Sequence, residues 1–284
     1  MSDRALPAGP YAVDMVRRGL IPMLLICGAL LSTASPASGE VEEPSSLASI
    51  GDSITRATNA FGWYGDHPSL SWSTGFNPVD GFGTHYERLV RAHPSIWGNE
   101  LNVARSGATM ADAPAQAAKV VAAGADYVTI LMGANDLCAA SVDRMTPVPQ
   151  FAAAFDRTLS RLSEGVPDAR ILVASIPDLE RLASVYGDDG VARFVWRTAG
   201  ICPTVLGPAV TWADRFQVVA RERAFNLVLA AVCAEYEDCR FDGFAVNAYA
   251  FDRDEVSSLD YFHPSLAGQR ALASITWSRS WWGP

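Results

Sequence analysis

LASIGDSITRAT, residues 47–58, joins a short apolar run to a lone serine with no turn residue between them except Gly51. The run Leu47 to Ile50, stopped by a glycine, reads as a first, buried strand. Ser53 then stands at the strand's end with two readings open. It caps a helix beginning near Ile54, or it is a nucleophile presented at the edge of a sheet. The choice depends on what the rest of the chain brings to that edge.

Downstream, short apolar runs alternate with helical patterns. After the first strand over 46–50, further strands are expected in NELNVA (99–104), DYVTILMG (126–133), ARILVAS (169–175) and FDGFAV (241–246). The run 126–133 is apolar on both faces, as a central parallel strand is. THYERLVRAH (84–93) has helical spacing, with Tyr86, Leu89 and Val90 on one side. DAPAQAAKVVAAG (112–124) reads as a helix capped by Asp112, with Pro114 in its first turn and Gly124 as its stop. Helices are also expected over 146–165, 210–236 and 265–282. This alternation predicts an α/β fold with a parallel sheet and helices on both faces. Sites in such sheets lie outside the carboxyl ends of the strands. The glycine- and aromatic-rich segment 61–83 is long for a connection, which marks it as functional.

The chain has 284 residues, 49% hydrophobic and 19% charged, enough for one large globular domain. A formal charge of −9 argues against a surface that tracks phosphates, so nucleic acid is not an expected partner. Arg17 and Arg18 precede the apolar run Leu20 to Leu31, which gives way to the small, polar STASPASGE. That is the pattern of an export signal over residues 1–39, with cleavage after Gly39 and Met15 as a possible true start. The apolar run is too short for a permanent anchor, and Cys27 lacks the small preceding residue that lipid modification wants. A secreted protein with a single domain over 40–284 is the expectation. Its four cysteines, Cys138, Cys202, Cys233 and Cys239, read as disulfides in an exported chain, with three connectivities open. Cys233 and Cys239 are close enough to close a small loop, which would leave Cys138 with Cys202. The long loop is worth about 4 kcal/mol and the short one about 2 kcal/mol by chain entropy. No C-x-x-C or H-x-x-x-H spacing occurs, so no metal is expected.

Three further polar stretches fall after later strands: NVARSGAT (102–109), GAND (133–136) and DYFH (260–263). In a parallel sheet they share a rim with Ser53. A serine hydroxyl needs a base, and His263 is the natural one, because the unperturbed pKa of histidine lies near neutral pH. Asp260, three residues earlier, can reach the other imidazole nitrogen and fix its tautomer. Attack on a carbonyl builds an oxyanion. Its donors are expected from the Ser53 N–H, the backbone at Gly107 and the Asn135 amide, each worth about 3 to 4 kcal/mol in the transition state. Asp136 is read as closing a turn and no more; His67, His85 and His93 as structural or surface residues; and GDDG (187–190) as a solvated turn.

GDSIT, Gly107 in NVARSGAT, GAND and DYFH, taken in order, resemble the four blocks of the SGNH or GDSL hydrolases, over residues 47 to about 275. The resemblance implies a flavodoxin-like three-layer α/β/α sandwich around a five-stranded sheet. It also implies no cofactor and ester hydrolysis through an acyl-enzyme. By that match Ser53 is the nucleophile, Asp260 and His263 complete the triad, and Ser53, Gly107 and Asn135 form the oxyanion hole. SLSWSTG (69–75), GANDLC (133–138) and CPTVL (202–206) are similar to stretches of the family's phospholipase-B-like branch, which supports a disulfide at Cys138. A lipid acyl ester, with transient contact to lipid surfaces, is therefore the expected substrate of a monomer. Acetylated sugars and other short esters stay open, as does a non-catalytic binder. Trp63, Tyr64 and Trp72 either line an acyl groove or form the core of their own loop. Trp277, Trp281 and Trp282 are expected to pack on the sheet from a helical face.

Overall fold

In the computed structural model, which describes residues 43–284 except 78–80 and 82, the run ending at Gly51 lies inside a five-stranded sheet. The expected leader, residues 1–39, with Cys27 inside it, lies outside the described residues. The elements run β1 (Leu47–Gly51), α1 (His85–Ala92), β2 (Glu100–Asn102), α2 (Ala113–Ala123), β3 (Tyr127–Leu131), α3 (Ala134–Leu137) and α4 (Val148–Gly165). They continue β4 (Arg170–Val173), α5 (Leu179–Val185), α6 (Gly190–Ala199), α7 (Pro203–Leu206), α8 (Trp212–Cys233), β5 (Cys239–Phe241) and α9 (Leu266–Trp277). The sheet order is β2-β1-β3-β4-β5, and every pairing is parallel. That is the flavodoxin-like doubly wound order, whose switch point lies between β1 and β3.

Alternation along the strands makes the three layers. Ala48, Ile50, Val128, Ile130, Ile171 and Val173 join one core with α2, α4 and α8. Their neighbours Leu47, Tyr127 and Leu172 join the opposite core with Tyr86 and Leu89 of α1. Trp277, Trp281 and Trp282 pack on this second cluster, as expected, but only Trp277 does so from a helix. The expected helix over 265–282 stops at Trp277, and the last two tryptophans reach the sheet from the turn that follows.

Other expectations shift for local reasons. The fifth strand is Cys239–Phe241, not 241–246. Gly243 and Phe244 are left-handed at φ 67° and 65°. The Asp242 carboxylate folds that segment back by accepting the Phe244 and Val246 N–H groups, each at 3.0 Å. Three helices in 179–206 had no counterpart in the sequence reading. The longest is α6, with ten residues. GDDG is more than a solvated turn, since Asp189 caps α6 by accepting from Val191 and Ala192. Asp112, the expected cap of α2, makes no cap bond. Its carboxylate instead accepts the Thr109 N–H at 2.9 Å, closing the 3-10 turn ahead of the helix. Disulfides join Cys138 to Cys202, linking α3 to α7, and Cys233 to Cys239, linking α8 to β5.

Candidate active site

The backbone at the end of β1 admits only glycine. A Cβ on Gly51 would meet Thr55 Oγ1 at 2.3 Å and the Leu131 carbonyl at 2.8 Å. Gln116 of α2 grips the same residue, taking the Gly51 N–H and donating to its carbonyl, both at 2.9 Å. Beyond it Asp52 Oδ1 accepts the Ile54 N–H at 2.9 Å, and Ser53 O accepts the Thr58 N–H at 3.0 Å. The chain therefore turns sharply into a helical coil just past the strand. The Ser53 side chain makes no cap bond; its hydroxyl faces an imidazole.

That imidazole is His263. Its Nε2 lies 2.8 Å from Ser53 Oγ, and its Nδ1 lies 2.6 Å from Asp260 Oδ2. Asp260 is held by its own loop, because Oδ1 accepts the Phe262 and His263 N–H groups, each at 3.0 Å. The loop is tight enough to put Tyr261 at φ 60°, and the Trp196 indole N–H steadies it by donating to the carbonyls of Asp260 and Tyr261. Burial pulls the His263 pKa down, but the hydrogen bond and charge of Asp260 outweigh it, with help from Asp52 and Asp66, and the net shift is upward. Burial likewise pushes Asp260 up, and the bond and charge of His263 bring it below the usual carboxylate range. The pair is thus built to hold an imidazolium beside a carboxylate. Such a relay can take a proton from a hydroxyl and return it to a leaving group.

The Gly107 loop and Asn135 border the same rim. Arg105 N–H donates to the Gly51 carbonyl at 3.2 Å, and Ser106 Oγ lies 2.8 Å from Thr58 Oγ1, so the loop lies against the Ser53 segment. Gly107 sits at φ 78° with open space where a Cβ would go. Glycine is therefore required by conformation, not by close approach. Asn135, at the start of α3, donates to the Ala108 carbonyl at 2.9 Å. Among the described residues, the Ser53 and Gly107 N–H groups donate to nothing. Unspent donors beside a hydroxyl–imidazole pair are what a developing oxyanion needs.

Sequence reasoning missed three contributors. Asp136 does more than close a turn. It is buried, and its Oδ2 accepts the Met110 N–H at 2.8 Å, tying the Gly107 loop to α3. Burial raises its pKa to about 6 and raises that of the neighbouring Asp52 to about 7. Among the described residues, Asp52 Oδ2 and Asp136 Oδ1 have no hydrogen-bond partner. Asn59 donates from Nδ2 to Asp260 Oδ2 at 2.5 Å, a contact across 201 residues that no spacing announces. Of the aromatics, Trp72 is fully buried, with its indole N–H on Thr55 Oγ1, so it belongs to the core and lines no groove. Trp63 and Tyr64 are 65% and 68% exposed, so they are not the core of their loop either. His85 is buried between the Tyr127 and Thr276 hydroxyls, His67 bonds the Trp63 carbonyl, and His93 pairs with Glu43 at the surface.

The sheet order and this rim define a class. Residues 49–271 match the profile of the GDSL-like lipase/acylhydrolase family, and the chain belongs to it. Over 221 residues the chain is 27% identical to the membrane-associated phospholipase B1 of Rattus norvegicus, a match covering 63% of this chain and 15% of that protein. In structure it is similar to TesA, with TM-score 0.51 and 18% identity over 82% of this chain and 97% of that one. The extracellular lipase of Streptomyces rimosus gives 0.50 and 17% over 83% and 99%. The acetyl xylan esterase AlAXEase gives 0.51 and 13% over 82% and 98%. At such identities the structural likenesses show the fold alone.

Proposed function

We propose that this chain is an exported serine esterase that cleaves lipid acyl esters through an acyl-enzyme. Ser53 Oγ attacks the ester carbonyl while His263 Nε2 takes its proton, with Asp260 holding the imidazole in the tautomer that leaves Nε2 free. The oxyanion is met by the Ser53 and Gly107 N–H groups and by the Asn135 amide. His263 then passes its proton to the departing alcohol and activates the water that frees the acid. The observation that carries this reading is the run of two hydrogen bonds, 2.6 Å and 2.8 Å, from Asp260 through His263 to Ser53.

Two observations favour a lipid ester. The curated relative at 27% identity is named a phospholipase. Phe61, Trp63 and Tyr64, 53% to 68% exposed, stand on the loop that follows the nucleophile, where apolar rings suit contact with an acyl chain or a lipid surface. Export is supported by two disulfides and by the leader-like residues 1–39. Among the described residues no helix is long and apolar enough to cross a membrane. On this reading residues 40–284 are a single hydrolase domain; the described part from Glu43 on lies in one compact unit.

The test is a panel of p-nitrophenyl esters of rising acyl length, run beside a phospholipid and an acetylated sugar. Wild type is expected to prefer medium or long acyl groups. Ser53→Ala is expected to show no turnover and no labelling by a fluorophosphonate probe while keeping its melting temperature. Turnover by Ser53→Ala would refute the nucleophile; preference for the acetylated sugar would refute the lipid substrate.

A further inference from the structure

Asn59 spends every polar atom it has. In a left-handed conformation at φ 57°, its N–H donates to the Gly65 carbonyl and its side-chain Oδ1 accepts the Gly65 N–H, both at 2.8 Å. Its own carbonyl accepts from Ser257 Oγ at 2.5 Å. Its Nδ2 donates to Asp260 Oδ2 at 2.5 Å. The other three groups on the Asp260 carboxylate, the N–H groups of Phe262 and His263 and the His263 Nδ1, all come from residues 262 and 263 of the same loop. They fix the carboxylate against its own loop but not against the segment that carries the serine. Among the described residues Asn59, six positions after Ser53, is the one donor that does so.

We propose that Asn59 is a positioning residue for ester hydrolysis, which locks the Asp260 carboxylate, and through it the His263 ring, in register with Ser53. The inference rests on the Ser53–His263–Asp260 reading above. The chemistry explains the residue type. The site asks for a donor toward Asp260 and an acceptor toward Gly65. It also asks for a side chain that tolerates left-handed backbone, which asparagine does better than any other non-glycine residue save aspartate. Aspartate meets the last two demands and fails the first. Glycine meets only the conformational one. Because the same side chain closes the turn under Phe61, Trp63 and Tyr64, the aromatic loop and the acid share one support.

Two variants separate positioning from folding. Asn59→Gly keeps the backbone conformation without strain and removes the side chain. Asn59→Asp keeps the acceptor that closes the turn and removes the donor. Both are expected to lower kcat on p-nitrophenyl butyrate at pH 8 by roughly 10- to 100-fold, the range for a hydrogen bond to a charged group, with KM within about twofold. In an Asp260→Asn background, Asn59→Gly is expected to cost less than about threefold more, since its target is gone. An Asn59→Asp variant as active as wild type, a loss confined to KM, or the same factor in both backgrounds would overturn the assignment. A fully active Asp260→Asn parent is a different result: it removes the triad reading itself.

Discussion

Asp260→Asn removes a charge and almost no volume, and the four groups around the carboxylate dictate the consequence. Oδ1 accepts the Phe262 and His263 N–H groups, each at 3.0 Å; Oδ2 accepts Asn59 Nδ2 at 2.5 Å and His263 Nδ1 at 2.6 Å. All four are donors. An amide offers one oxygen and one NH2, so either orientation sets its NH2 against two of them. The two backbone N–H groups cannot turn away, so the oxygen stays with them and the NH2 faces His263. The imidazole then avoids a donor–donor clash by carrying its proton on Nε2. There it donates to Ser53 Oγ instead of accepting from it, and the base is lost. A wrong-tautomer triad is about 10⁴-fold slower, about 5.5 kcal/mol in the barrier. The sign of the pH shift follows from the charge. Asp260 holds the His263 pKa up, so without it the imidazole stays neutral to lower pH and the acidic limb of kcat/KM moves down. Steady-state hydrolysis of p-nitrophenyl butyrate from pH 5 to 9, with thermal melts as a folding control, measures both. A kcat within tenfold of wild type, or an acidic limb that moves up, would refute the reasoning.

Cys138→Ser with Cys202→Ser opens a bridge between residues 64 apart and is expected to lower unfolding stability by about 4 kcal/mol. Opening Cys233–Cys239, 6 apart, is expected to cost about 2 kcal/mol; urea midpoints rank the two, and the reverse order would count against the chain-entropy account. Asp136 has its pKa raised by burial from 3.8 to about 6, so the fold favours its protonated form and loses stability as pH climbs through that window. Asp136→Asn is therefore expected to keep about 3 kcal/mol that wild type loses between pH 4 and pH 8. Parallel urea curves for the two proteins across that range would sink it.

How far the sequence could be read varied by element. Leu47–Gly51, Tyr127–Leu131 and Arg170–Val173 were visible because a strand buried on both faces reads as a mainly apolar run. The edge strand Cys239–Phe241 was displaced by one turn's chemistry, because the Asp242 carboxylate competes with the strand ladder for the next N–H groups. The helices after β4 (α5, α6 and α7) have no counterpart in the sequence reading. At the site, serine, histidine and aspartate stood out as residue types with a common chemistry. Asn59 and Asp136 did not, because an asparagine in a loop and an aspartate after a strand read equally well as turn formers.

Periodicity and the order of the polar blocks are properties of neighbouring residues, and they alone determined the α/β alternation, the rim and the family. What they leave open is which distant groups touch. Ser53 and His263 are 210 residues apart, and only the parallel order of the sheet brings them to 2.8 Å. Only folding buries Asp52 and Asp136 together beneath the rim and lifts their pKa values to about 7 and about 6. Desolvation and contact across the chain are set by packing, so their consequences for charge and proton transfer exist in the folded protein and nowhere in the local pattern.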